Sequence, residues 1–75
     1  GVEYTVDGAS FYATAGCEIV LSLGAIHTPK VLELSGIGDE TELRRHGIPV
    51  VQHPQGVGRN FQDHILVAGC VWEYR

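Results

Sequence analysis

The sequence predicts an α/β fold, on three observations. Two alternating segments flank Asp7-Gly8, a pair suited to a tight turn. A nearly continuous apolar run, Ile19-Val20-Leu21 with Leu23, suits a strand covered on both faces, as in a parallel sheet. Two helix-start patterns follow, at Thr28-Pro29 and at Asp39 with Glu42 three residues later.

Taken in order, Val2 to Val6 has the two-residue period of a half-buried strand, and Ser10 to Thr14 reads as its returning partner. Cys17 to Leu23 is the buried strand, closed by Gly24. The Thr28 hydroxyl is placed to cap a free N–H, and Pro29 at a first helical position sacrifices no hydrogen bond. Val31, Leu32 and Leu34 give that short helix its apolar side, and Ser35-Gly36-Ile37-Gly38 stops it. A second helix is predicted over 40–46, with Leu43 inward and Arg44 and Arg45 outward. Arg45 and His46 suit its C-terminal end, and Gly47 suits the position just past it. Ile48 to Val51 is a short extended segment, 54–58 a loop, and Ile65 to Tyr74 a C-terminal strand.

Seventy-five residues allow one small domain at most. The apolar fraction of 44% is that of a globular chain, which argues against disorder. The five Lys and Arg residues are scattered and the net charge is −4, so no concentrated basic face is available for nucleic acid. No apolar run approaches the ~20 residues of a membrane-spanning helix. The absence of Met and a first residue one position from a strand-like run suggest that Gly1 is a cut end. Cys17 and Cys70 stand apart in apolar runs, which suggests buried thiols acting as small hydrophobes. His27, His46, His53 and His64 have no ligand-like spacing, so no metal site is expected.

Two motifs bear on function. The first is Gly24-Ala25, Thr28-Pro29, Val31-Leu32 and Ser35-Gly36-Ile37-Gly38. The second is Gly56-Val57-Gly58-Arg59-Asn60-Phe61-Gln62-Asp63-His64. A strand ending in glycine before a helix N-terminus lets backbone approach a ligand closely, although it also describes a plain strand–helix turn with no ligand. Asn60 and Asp63 are short polar side chains suited to shaping a loop.

Together, at this separation, the motifs resemble the flavin-dependent glucose–methanol–choline (GMC) oxidoreductases over essentially the whole chain. The sequence departs from the family pattern at His27, at Pro54-Gln55 and at Phe61. The resemblance implies a fragment of an FAD-binding Rossmann-like domain comprising a β-hairpin, a buried parallel strand, two short helices and a C-terminal strand. Residues 1–64 would belong to that domain, and 65–75 would begin the substrate domain. It implies FAD as cofactor and a small alcohol as substrate, with hydride passing from a CH–OH group to the flavin. By the same resemblance, Leu23, Gly24, Ala25 and Asn60 would lie at the cofactor, with Asp63 shaping the loop. The family's Gly-x-Gly-x-x-Gly and its catalytic histidine have no counterpart here, so no catalytic residue is assigned and the piece alone is expected to be inactive. The rival reading is a complete small binding or interaction module without flavin. A fragment predicts exposed apolar surface and poor cooperativity, whereas a module predicts a closed core.

Overall fold

The computed structural model describes residues 1–69, Trp72 and Glu73. Four elements form, in the order β1 (Val2–Val6), β2 (Ala9–Ala13), α1 (Gly24–Leu34) and α2 (Glu40–Arg45).

The hairpin forms as its alternation and turn dictate. Asp7 (φ 49°) and Gly8 (φ 80°) are both left-handed, which matches the twist of the flanking strands. The antiparallel register pairs Val2 with Ala13, Tyr4 with Phe11 and Val6 with Ala9. Side chains alternate across a strand, so these six share one face. On it the Tyr4 and Phe11 rings stack, with centroids 5.5 Å apart.

The predicted buried strand is not formed. Cys17 to Ser22 has no regular structure, and Ile19, Val20 and Leu21 are exposed. A parallel strand obtains its hydrogen bonds from flanking strands, and the one sheet among the described residues is the two-stranded hairpin, paired only with itself. Cys17 is accordingly exposed rather than buried, and Cys70 lies outside the described residues. The C-terminal strand fails for the same reason over 65–69, where Ile65, Leu66 and Val67 are exposed. Three residues of that predicted strand, 70, 71 and 74, lie outside the described residues.

Helix α1 starts earlier than predicted, at Gly24 instead of Pro29, and carries Pro29 in its interior. Without a strand to continue, Leu23 becomes the residue before the helix. The Thr28 hydroxyl does accept a backbone N–H, but it is that of Leu23, at 2.9 Å, so the cap reaches back from inside the helix. Pro29 has no N–H to offer the carbonyl of Ala25.

Both helices end in the same way. Gly36 N–H bonds to the Glu33 carbonyl and Ile37 N–H to that of Leu32, both at 2.9 Å. In α2, Gly47 N–H bonds to Arg44 (3.1 Å) and Ile48 N–H to Leu43 (2.9 Å). These are paired Schellman closures, and each satisfies carbonyls that the helix end would leave free.

The segment 36–38 is tied to 51–52. Val51 and Gln52 both donate to the Gly36 carbonyl (2.8 and 3.1 Å), and Gly38 N–H donates to Gln52 (3.1 Å). This makes a parallel bridge between Ile37 and Gln52, just past the segment Ile48–Val51. Gly36, Gly38 and Leu43 are buried around it, and Leu43, 2% exposed, is the one buried hydrophobic side chain among the described residues.

Helix α2 matches its prediction closely. Leu43 is buried and Arg44 and Arg45 point outward. Asp39 caps it, accepting from Thr41 N–H (2.9 Å) and Glu42 N–H (3.2 Å). Replacing Asp39 with alanine is expected to remove about 1 kcal/mol of stability. Denaturant unfolding of Asp39→Ala and Asp39→Asn would test this, with asparagine, which keeps a capping oxygen, recovering most of the loss. The Glu40–Arg44 pair on the surface is close, at 2.6 Å, but exposure limits it to a few tenths of a kcal/mol.

The Cα radius of gyration is 18.7 Å, against roughly 11 Å for a compact chain of this length. With Tyr4, Phe11, Ile19, Val20, Phe61, Ile65 and Leu66 all exposed, the residues described do not close a core. No helix among them is long and apolar enough to cross a membrane.

Candidate functional site

An open groove of about 560 Å³ runs between α1 and the loop at 58–62. This is within the size range of ligand clefts. Ala25, Ile26, Pro29, Lys30 and Glu33 form the helix wall. Their spacing of one, four, five and eight residues from Ala25 is that of a single helix face. Gly58, Arg59, Asn60, Phe61 and Gln62 form the loop wall.

Local bonds shape the loop. Arg59 N–H closes a turn onto the Gly56 carbonyl at 3.2 Å. Gly58 (φ 72°) and Asn60 (φ 56°) are both left-handed, and Asn is among the few non-glycine residues that tolerate this. Gln62 Nε2 donates to Asn60 Oδ1 at 2.9 Å, which fixes the Asn60 amide. Asp63 Oδ1 accepts from the His64 N–H at 2.7 Å, a local loop-shaping bond. The Arg59 guanidinium lies 3.6 Å from Asp39, so it ties the loop to the cap of α2. A second cavity of about 210 Å³ sits behind, lined by Glu33, Asp39, Glu42, Val57, Gly58 and Arg59.

The four site residues expected from sequence divide. Ala25 and Asn60 line the groove together. Leu23 and Gly24 stand at the N-terminal end of α1, outside its lining. Sequence reasoning missed Lys30, Glu33 and Arg59, which give the groove its charge, and Ile26, Pro29 and Phe61, which give it apolar surface. The helix face from Ala25 to Glu33 was available as a signal. A helix start at Thr28-Pro29 hides it, because that start severs Ala25 and Ile26 from Pro29 and Lys30. Among the described residues, no group of three or more His, Cys, Asp or Glu gathers to hold a metal.

Chemically, the groove offers two cations, one carboxylate, two amides and an apolar wall. This suits a ligand carrying both anionic and apolar parts.

Comparison with known proteins places the chain. The description GMC oxidoreductase matches residues 1–66. The chain is similar to the mitochondrial choline dehydrogenase of Homo sapiens, with 54% identity over 67 residues, 89% of this chain and 11% of that protein. It is similar to the patulin synthase of Aspergillus clavatus, with 45% identity over 67 residues, again 89% and 11%. A GMC-type oxidoreductase of Mycobacterium bovis is 46% identical over 66 residues, 88% of this chain and 12% of that protein. No solved structure matches. The chain spans about a tenth of the length of these curated relatives. A match over 66 of 75 residues, carrying both glycine-rich motifs, establishes that the chain belongs to the GMC oxidoreductase family.

Proposed function

We propose that this chain is part of the FAD-binding, Rossmann-like domain of an oxidoreductase acting on the CH–OH group of a small alcohol. Residues 1–64 belong to that domain, and 65–75 begin the substrate domain. The observation that carries the reading is the groove in which Ala25 of α1 and Asn60 of the loop meet. These two residues come from separate motifs, and the family resemblance implies that both lie at the cofactor.

The residues present fit a flavin dinucleotide. Lys30 and Arg59 offer positive charge to a diphosphate. Ile26, Pro29 and Phe61 offer apolar surface to a ring. Gly58 carries no Cβ, so backbone can come close to a ligand. Leu23 and Gly24 stand where the free N–H groups of α1 begin, a favourable environment for an anion. Asn60, held by Gln62, presents a fixed amide. FAD, when bound, supplies the hydride acceptor. The part of these residues is to bind and orient it, and none of them is assigned a proton-transfer role. The segment by itself is therefore expected to be inactive.

FAD titration is the test. The full-length protein carrying this segment is expected to purify yellow and to reduce its flavin when an alcohol is added anaerobically. The isolated 75 residues are expected to bind FAD negligibly and to unfold without a sharp transition. Tight FAD binding by the isolated segment, or a colourless full-length protein that stays colourless after FAD is added, would count against the reading.

A further inference from the structure

Glu33 is clasped between two glycine turns. Its Cγ lies 3.1 Å from where a Cβ on Gly38 would stand, and its Oε1 lies 3.2 Å from the corresponding point on Gly58. A Cβ at either position would press on the side chain, which would have to give by a few tenths of an ångström. Pro29, one helical turn earlier, lies 3.8 Å from the same point on Gly58. Glu33 is half-buried and lines both the groove and the cavity behind it, so it forms part of the partition between them. The ion pair that Arg59 makes among the described residues is with Asp39, not with Glu33. The contact of Glu33 with the loop is therefore one of shape.

We propose that Glu33 is a positioning residue, a wedge that sets the height of the 58–60 turn over α1 and thereby the width of the groove. The inference rests on the flavin reading for its consequence, although not for its geometry. If the wedge is shortened, the turn keeps its Arg59–Asp39 tie but loses its support over α1 and settles towards Pro29. Asn60 follows, because it is two residues along the same turn. A site whose supporting side chains are loosened by a fraction of an ångström loses affinity although every contacting residue is still present.

The test compares Glu33→Ala with Glu33→Gln in the full-length protein. Two readouts are taken: FAD affinity from flavin fluorescence, and hydrogen exchange of the 56–60 segment in the flavin-free protein. Glutamine keeps the shape and removes the charge; alanine removes both. Alanine is expected to weaken FAD binding roughly tenfold and glutamine less than about threefold. Exchange over 56–60 is expected to rise in the alanine variant alone. Should Glu33→Ala fail to fold, Glu33→Asp, shorter by one methylene, takes its place and is expected to raise exchange while glutamine does not. If glutamine is as damaging as alanine, charge rather than shape is at work and the proposal is overturned. Unchanged exchange in the shortened variants overturns it equally. If the wild-type protein takes no FAD, the flavin reading fails by itself and the exchange measurement alone decides the wedge.

Discussion

Replacing Gly36 with alanine is expected to lower the unfolding free energy of the full-length protein by about 2–5 kcal/mol, from the summed costs of a left-handed non-glycine residue and of overpacking. Two independent facts combine. Gly36 has φ 84°, a conformation that costs an L-residue with a Cβ about 1–2 kcal/mol. The new Cβ would also stand against the Pro49 carbonyl oxygen, with Val51 Cγ2 at 3.0 Å and Val51 N at 3.3 Å. Backbone cannot step aside as a flexible side chain does. Relief would come only by parting 36–38 from 49–52, and that breaks the bonds from Val51 and Gln52 to the Gly36 carbonyl. Gly47 provides the internal control. It is also left-handed (φ 70°), but a Cβ there meets nothing within 4 Å, so alanine should cost only the conformational part, about 1–2 kcal/mol. Equal midpoints for the two variants in urea would show that the close approach at Gly36 contributes nothing.

Leu43→Ala is expected to cost about 2–5 kcal/mol, the usual range for a fully buried leucine. Its environment argues against the low end. It is the one buried hydrophobic side chain among the described residues, at 2% exposure. Its carbonyl accepts the Ile48 N–H that closes α2, and its own N–H bonds to Asp39. The local structure is thus centred on this position. Leu43→Met, which conserves volume, should cost less than about 1.5 kcal/mol. Thermal or urea unfolding of both variants in the full-length protein would separate loss of volume from loss of the side chain's identity. A methionine variant as unstable as the alanine one would rule out a volume effect. By contrast Ile65, 95% exposed in these residues, gives no basis for a comparable cost.

Where sequence and structure agree, the cause is local. Asp7-Gly8 encodes its turn because two left-handed residues in succession are demanded there and Asp-Gly supplies them. Asp39 encodes the start of α2 because a short carboxylate reaches the N–H groups two and three residues on. Gly36 and Gly47 encode the helix stops because the closing bonds lie within five residues. Where they disagree, the cause is distant. Ile19 to Leu23 has the composition of an interior strand, but composition cannot supply neighbouring strands, and without a ladder the segment takes no regular form. The displaced start of α1 is a consequence: Gly24, expected to close the strand, instead opens the first turn of the helix. The same misplacement concealed half of the groove wall.

The amino-acid sequence by itself determined the hairpin and its turn, both helix stops, the cap of α2 and the family to which the chain belongs. All of these rest on contacts or motifs short enough to be read along the chain. Only the tertiary structure decided that Ala25 and Asn60 share a groove, that Glu33 stands between Gly38 and Gly58, and that the apolar run at Ile19 lies bare. Those outcomes depend on which distant segments meet, and side-chain pattern records a residue's preference for burial without naming what will bury it.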